Sequence, residues 1–98
     1  MERDALVQRL RGLRARLAED GVTHLAVFGS RARGDHHNDS DLDVLIEIDE
    51  TRKFSLIDLV GVQHTIGDEI GIPVQATMRR SMNPEFRQAI TPDVVDIF

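Results

Sequence analysis

The sequence predicts an α/β (α+β) fold, a small mixed β-sheet of three to four strands with helices packed on it. Three observations lead to this class. Leucines recur at helical spacing near the start of the chain, short apolar runs of strand length follow, and segments of both kinds then alternate to the end. Strands separated by helices assemble into a sheet with the helices against it. We expect residues 1–98 to form a single domain.

The first element is an amphipathic helix predicted from Glu2 to Glu19, and Gly21 is expected to end it. Its apolar stripe is spaced i, i+4, i+7 and i+11 and consists of Leu6, Leu10, Leu13 and Leu17. The arginines of this segment are more typical of a solvated helix face than of a site for an acidic partner.

Two strands and the loop between them follow. The first strand is predicted over about Thr23 to Phe28, because its apolar run stops abruptly at Gly29-Ser30. The loop spans Gly29 to Ser40. The second strand runs from Leu42 to Ile48, where side chains alternate between the two faces of the sheet.

A second long helix is predicted next. Ser55 and Asp58 form its cap, and the helix ends at Gly71. The helix carries Leu56, Leu59, Val60, Gln63, Ile66 and Ile70.

Three short elements complete the fold. Pro73 to Met78 form the third strand. Asn83-Pro84 is a suitable N-cap and first-turn pair for a short helix through Ile90. Val94 to Phe98 adds a last short strand or turn.

Composition and charge exclude several classes of function. Hydrophobic residues make up 41% of the chain and charged residues 30%, which is ordinary for a globular protein and argues against a membrane protein. The net charge of −5 argues against general nucleic-acid binding, which depends on basic residues. Without cysteine, the chain has neither disulfides nor a thiolate metal site, and we expect it to be cytoplasmic.

The start of the second strand carries two acids spaced i, i+2. Asp41 and Asp43 share one face of the strand, opposite Leu42 and Val44. Their Cα atoms would lie about 6.6–7 Å apart, so both carboxylates can reach divalent ions separated by about 3.5–4 Å. Oxygen ligands of this kind suit Mg²⁺, which completes its shell with water and substrate phosphates.

The turn at the end of the first strand is suited to phosphate. Gly29 lets an anion approach the backbone, the hydroxyl of Ser30 can donate to a phosphate oxygen, and a following helical turn would present free N–H groups. Acids surround this turn, so a nucleotide would be repelled unless cations intervene. The sequence therefore predicts a phosphate-binding turn beside a metal site.

The combined pattern resembles the nucleotidyltransferase superfamily that includes DNA polymerase beta, and specifically its minimal single-domain members, the MNT proteins. The matching residues are Gly29, Ser30, Arg33, Gly34, Ser40, Asp41, Leu42, Asp43 and Val44. The resemblance implies a nucleotidyltransferase-like fold with catalytic, Mg²⁺-binding Asp41 and Asp43. It further implies ATP as the substrate, bound by Gly29, Ser30, Arg33 and Ser40.

The chain departs from this family at one position. Gln75 stands in the third strand where the family has a third aspartate. An amide oxygen can coordinate Mg²⁺, but it brings no charge and accepts no proton, and losing a general base costs about 10²–10⁴ in rate. Glu47, farther along the second strand, is the nearby carboxylate that could substitute.

Two pairs of residues in the loop have alternative interpretations. Arg31 and Arg33 are either simply exposed or, as the resemblance implies, one of them is a triphosphate contact or a structural anchor. His36 and His37 are more typical of a mobile, solvated loop than of a metal site, because adjacent side chains seldom converge on one ion.

Resemblance to MNT proteins implies a function and a partner. In that family the protein is the antitoxin of a HEPN toxin, transfers AMP from ATP to a tyrosine of the toxin, and forms a hetero-oligomer with it. Given Gln75, the alternative is a catalytically degenerate antitoxin that neutralises its partner by binding alone. Transfer to a small molecule such as an antibiotic is a weaker hypothesis, because the chain is too short for a separate substrate domain.

Overall fold

The computed structural model describes residues 2–98, and its central feature is one mixed four-stranded sheet. The strands are β1 (Val22–Phe28), β2 (Leu42–Ile48), β3 (Val74–Met78) and β4 (Val95–Asp96). Their order across the sheet is β3-β2-β1-β4. β1 is antiparallel to both of its neighbours, whereas β2 and β3 are parallel. The predicted fold class is confirmed.

In the described part of the chain, five helices accompany the sheet: α1 (Arg3–Arg11), α2 (Arg14–Glu19), α3 (Ser30–Arg33), α4 (Leu56–Ile70) and α5 (Pro84–Ile90). Two 3₁₀ turns, Arg79–Ser81 and Thr91–Asp93, flank α5. The N-cap of α5 follows the prediction, because the side chain of Asn83 accepts the Phe86 N–H. Within residues 2–98, no helix is long and apolar enough to cross a membrane.

The single N-terminal helix predicted from the sequence is wrong, because the structure contains two helices with a break between them. The break lies at Gly12 and Leu13, where the Leu13 N–H donates to the Leu10 carbonyl, three residues back, at 3.0 Å. Glycine favours such a break, since it costs about 1 kcal/mol relative to alanine inside a helix. The leucine stripe continues across the break: Leu6, Leu10 and Leu17 are buried, and Leu13 is partly buried against the same core.

The cap of α4 is as predicted, and only some of the residues noted in the sequence of this helix face the core. Ser55 and Asp58 form a reciprocal capping box, and Gly71 ends the helix in the left-handed region with φ 77°. Leu56, however, is 75% exposed, because the helix contacts the core only from Leu59 onwards. Val60 is 40% exposed because it lies on a different face of the helix from Val62. The buried residues of the helix are Val62, Ile66 and Ile70.

The sheet has an apolar core on each face. The larger core lies between the sheet and helices α1, α2 and α4. The smaller core, on the opposite face, consists of Ala26, Phe28, Leu45, Met82 and Ile90. Because side chains alternate along a strand, Asp43 lies on the same face as Leu45 and the smaller core. Helix α5 covers only part of that face, so the beginning of β2 stays accessible.

Candidate functional site

The two halves of the motif meet in the middle of the sheet. Strands β1 and β2 are its two inner strands, and Phe28, the last residue of β1, pairs with Asp43 of β2. The turn that begins at Gly29 therefore leaves the sheet directly beside the acidic start of β2. This adjacency follows from antiparallel pairing, which brings the end of one strand next to the beginning of the other.

The backbone of Gly29 and the carboxylate of Asp43 are in direct contact. Gly29 has φ 77° and ψ −160°, a conformation that side-chain-bearing residues rarely adopt. A Cβ atom at this position would overlap Oδ2 of Asp43. Only glycine therefore fits here, both for its backbone angles and for the space that the carboxylate occupies.

A single helical turn follows the glycine. α3 begins at Ser30 and ends at Gly34, which has φ 86° and donates its N–H to the Ser30 carbonyl at 2.9 Å. The first amides of any helix have no partner within it. In α3 these amides directly follow the contact between Gly29 and Asp43.

The two acids of the motif are close enough to repel each other. Asp43 is half-buried in β2, whereas Asp41 is exposed and immediately precedes the strand. Burial first, and then the charge of Asp41, raise the pKa of Asp43 above its ordinary value, while the charge of Arg33 acts in the opposite direction. A cation bound between the two carboxylates would relieve both the burial cost and the repulsion.

The donor atoms fit a cation that keeps part of its shell for other ligands. Within residues 2–98, no group of three or more His, Cys, Asp or Glu side chains could hold an ion. The site therefore offers two carboxylates and, at most, one amide. Mg²⁺ is commonly bound through one or two carboxylates together with waters and substrate phosphates, so this donor set suits it.

Gln75 lies next to Asp43. The two residues are paired in the parallel ladder between β2 and β3, so their side chains point to the same face of the sheet. Gln75 is exposed, and β3 is an edge strand. Its amide is thus on the side of Asp43 away from β1.

Glu47, the substitute carboxylate suggested by the sequence, is wrong for that role. It lies four residues beyond Asp43, about 13 Å along the strand, and the buried Leu45 stands between them. Its carboxylate is engaged by Nδ1 of His24 at 2.9 Å and faces Nε of Arg79 at 3.6 Å. The residue belongs to a cross-strand polar cluster with His24 and Arg79 at the other end of β2.

The structure separates the two arginines that the sequence could not distinguish. Arg31 is buried, with 4% exposure, and its Nε donates to the Ser40 carbonyl at 2.9 Å. Arg33 is at the surface, 3.1 Å from both Asp35 and Asp93. Hydrogen bonds to Asp35 and then Asp93 raise the pKa of Arg33, which keeps it charged. Arg31 is a structural anchor, and Arg33 contributes positive charge near Asp43.

Ser40, a predicted nucleotide contact, has a role within the loop. Its hydroxyl accepts the His37 N–H at 2.9 Å while its carbonyl accepts from Arg31. The hydroxyl proton is still available for a further acceptor. His37 is exposed and His36 half-buried, and neither joins a metal-binding cluster among the described residues.

Residues 10–97 match the profile of the family described as Nucleotidyltransferase domain. The match covers most of the chain, and the chain therefore belongs to this family. The resemblance that the motif indicated is therefore confirmed. It extends to the minimal members of the family, as a solved structure described below shows.

Two curated relatives illustrate the similarity. "Putative protein adenylyltransferase MJ0435" of Methanocaldococcus jannaschii is 32% identical over 81 residues, which cover 83% of this chain and 85% of the relative. "Protein adenylyltransferase MntA" of Thermococcus cleftensis is 29% identical over 75 residues, which cover 76% of this chain and 74% of that protein.

Solved structures agree with the fold. One described as "Structure of putative minimal nucleotidyltransferase" superposes with a TM-score of 0.80 at 28% identity, over 97% of this chain and 95% of the other. Another, described as a tri-AMPylated Shewanella oneidensis HEPN toxin in complex with MNT antitoxin, gives a TM-score of 0.69 at 12% identity, over 98% of this chain and 71% of the other. At that identity the second likeness concerns the fold alone.

Proposed function

We propose that this chain is a Mg²⁺-dependent nucleotidyltransferase that transfers AMP from ATP to a hydroxyl group of a protein partner. One observation carries the proposal: the backbone of Gly29 lies against the carboxylate of Asp43. This contact puts a turn suited to phosphate beside a pair of acids suited to a divalent cation.

Each motif residue has a role in this proposal. Asp41 and Asp43 hold Mg²⁺, with the amide oxygen of Gln75 as an additional donor. The residues that contact the phosphates of ATP are Gly29, Ser30, Arg33 and Ser40. Because Arg33 already pairs with Asp35 and Asp93, a triphosphate must share or replace those carboxylates.

The reaction is a displacement at the α-phosphorus of ATP. The acceptor oxygen forms a bond to that phosphorus, the bond to the β-phosphate oxygen breaks, and pyrophosphate leaves. Bound Mg²⁺ supplies charge neutralisation for the triphosphate and the leaving group. Gln75 cannot take the acceptor proton, so the proton passes to solvent. The motif residues therefore contribute mainly positioning and electrostatics.

The proposed acceptor is a tyrosine of a HEPN toxin, and the proposed role is that of its antitoxin within a hetero-oligomer. Support comes from the relatives, which are named protein adenylyltransferases, and from the complex of a HEPN toxin with an MNT antitoxin that shares this fold.

Labelled ATP, Mg²⁺ and a purified HEPN toxin test the proposal. We expect label on the toxin with the wild-type protein, and at least about 100-fold less with Asp41→Asn or Asp43→Asn, since losing even an outer-shell partner of a metal costs about 10–100-fold. Asp68→Asn, the same change on the exposed face of α4, is the matched control and should transfer normally. Equal labelling by all four proteins would contradict the assignment.

Gln75 favours a second candidate function, neutralisation of the toxin by binding alone. The variant Gln75→Asp separates the two functions. If catalysis limits the natural protein, the new carboxylate beside Asp43 should raise the transfer rate by about 10²–10⁴. Gln88→Asp, which adds the same charge on an exposed face of α5, should leave the rate unchanged. A stable unlabelled complex with both the wild type and Gln75→Asp would favour binding alone.

A further inference from the structure

Arg31 is the one buried charged side chain among residues 2–98, and the proposed chemistry does not use it. Within the described residues its guanidinium faces no carboxylate at ion-pair distance. It donates instead to backbone carbonyls: from Nε to Ser40 at 2.9 Å, and from Nη2 toward Asn38 at 3.4 Å and His37 at 3.5 Å. A cation removed from water needs such partners, so this arrangement is specific to the folded loop.

The partners of Arg31 lie on the segment that leads into the acids. Arg31 belongs to α3, which begins directly after Gly29, whereas the three carbonyls belong to residues 37–40, which directly precede Asp41. Asp43 is held by the β-ladder, but Asp41 lies outside the strand. The guanidinium thus connects the phosphate-binding turn to the acid whose backbone the sheet does not fix.

We propose that Arg31 is the positioning residue of the metal site: it holds segment 37–41 so that Asp41 stays beside Asp43. This inference rests on the proposed function, because it assumes that the two acids bind Mg²⁺. Arg31 acts through the loop, since Arg33 is the arginine whose charge reaches Asp43. Lysine carries its three donors on a single nitrogen and lacks the planar fork in which Nε and Nη2 of Arg31 reach separate carbonyls, so lysine should replace Arg31 only in part.

The first test needs no variant. In hydrogen exchange of the wild-type protein, the amides of His37 and Ser40, which are bonded to the Ser40 hydroxyl and the His37 carbonyl, should be protected within an otherwise exposed loop. Exchange at the rate of free loop amides would overturn the proposal whether or not the chain transfers AMP.

The second test compares Arg31→Met and Arg31→Lys with Arg52→Met. Arg52 is the matched control, because this exposed arginine also donates to backbone carbonyls, at Glu19 and Ala18, on another part of the chain. We expect Arg31→Met to need about 10- to 100-fold more Mg²⁺ for half-maximal ATP binding in calorimetry, with Arg31→Lys between it and the wild type. Saturating Mg²⁺ should recover most of the binding.

The outcomes also separate this inference from the proposed function. Wild-type Mg²⁺ dependence in either folded Arg31 variant would overturn the positioning role while AMP transfer by the wild type still stands. Weakened Mg²⁺ binding together with no transfer to any toxin would support the positioning role and contradict the transferase. Circular dichroism identifies which variants are folded, and Arg31→Lys serves as the second variant because it keeps the charge.

Discussion

At the scale of single residues, Gly29 is the position where a substitution should affect both the stability of the fold and the geometry of the candidate site. We predict that Gly29→Ala lowers the free energy of unfolding by about 1–3 kcal/mol, because a non-glycine residue is strained at φ 77° and its Cβ would displace the Asp43 carboxylate. The displaced acid should also weaken Mg-ATP binding by about 100-fold or more. Urea denaturation and calorimetry measure the two effects.

Gly61 provides the control for that substitution. It lies in α4, and a Cβ there would meet nothing within 4 Å. Gly61→Ala should stabilise the protein by about 0.4–1 kcal/mol and leave nucleotide binding unchanged. Equal destabilisation by both substitutions would show that the contact with Asp43 has no special role.

The ionised carboxylate of Asp43 suits cation binding but is unfavourable for folding. Its pKa is raised by burial and by Asp41, so the folded state binds this proton more tightly than the unfolded chain does. The contribution of Asp43 to stability therefore falls as pH rises from its ordinary pKa of 3.8 through the raised value, and above that range the ionised group opposes folding.

We predict that Asp43→Asn is more stable than the wild type at pH 7 without Mg²⁺. With Mg-ATP at about 100 times its dissociation constant, the wild type should gain about 2.7 kcal/mol, whereas the variant should gain nothing. Thermal denaturation with and without Mg-ATP measures both, and Asp68→Asn should behave as the wild type. If Asp43→Asn is less stable than the wild type in the absence of Mg²⁺, the ionised Asp43 does not oppose folding.

At the scale of elements, the start of α4 depends on its capping box. Ser55→Ala should cost about 1 kcal/mol of stability, because the amide of Asp58 loses its hydroxyl acceptor. The backbone N–H and then the hydroxyl of Ser55 lower the pKa of Asp58. This contribution is present above the ordinary aspartate pKa and is lost as pH falls through the lowered value.

Urea denaturation at pH 7 and in acid tests this prediction. The difference in the free energy of unfolding between Ser55→Ala and the wild type should be smaller in acid. Ser81→Ala, at an exposed serine of a 3₁₀ turn, is the control and should change stability by less than about 0.5 kcal/mol. A Ser55→Ala penalty that is independent of pH would argue that Asp58 does not complete the cap.

The elements could be predicted from the sequence where local chemistry marks their ends. Strand β1 ends before Gly29-Ser30, helix α4 begins after Ser55, and α5 follows Asn83, each at a residue with a specific capping or turn conformation. The exposure of Leu56 could not be predicted, because helical periodicity defines a face but does not say where along the helix the core begins.

The candidate site, too, could be predicted from the sequence only in part. Adjacency of Gly29 and Asp43 follows from two strands that pair as a hairpin, which a sequence pattern can suggest. The burial of Arg31 and the exposure of Arg33 depend on how a twelve-residue loop folds back on a single helical turn, and the two arginines lie only two residues apart, on either side of Ala32. The pairing of Arg33 with Asp93 joins distant parts of the chain, so no local signal could predict it.

At the scale of the whole molecule, stability depends unequally on the two cores. We predict that Leu10→Ala, in the larger core, costs about 3–5 kcal/mol, because it leaves a cavity in a fully buried position. Ile90→Ala, at the margin of the smaller core with 8% exposure, should cost about 2 kcal/mol. Denaturation midpoints compare them directly, and a larger penalty for Ile90→Ala would reverse this ranking of the cores.

The order of the strands determines which residue of the candidate site can be exchanged without disturbing the fold. The glycine turn follows one inner strand and Asp43 lies on the other, whereas Gln75 is a solvent-facing residue on the edge strand β3. Exchanging an amide for a carboxylate there alters no packing and should shift stability by less than about 0.5 kcal/mol. The side chain beside Asp43 can therefore change between an amide and a carboxylate over evolution without a cost to the fold.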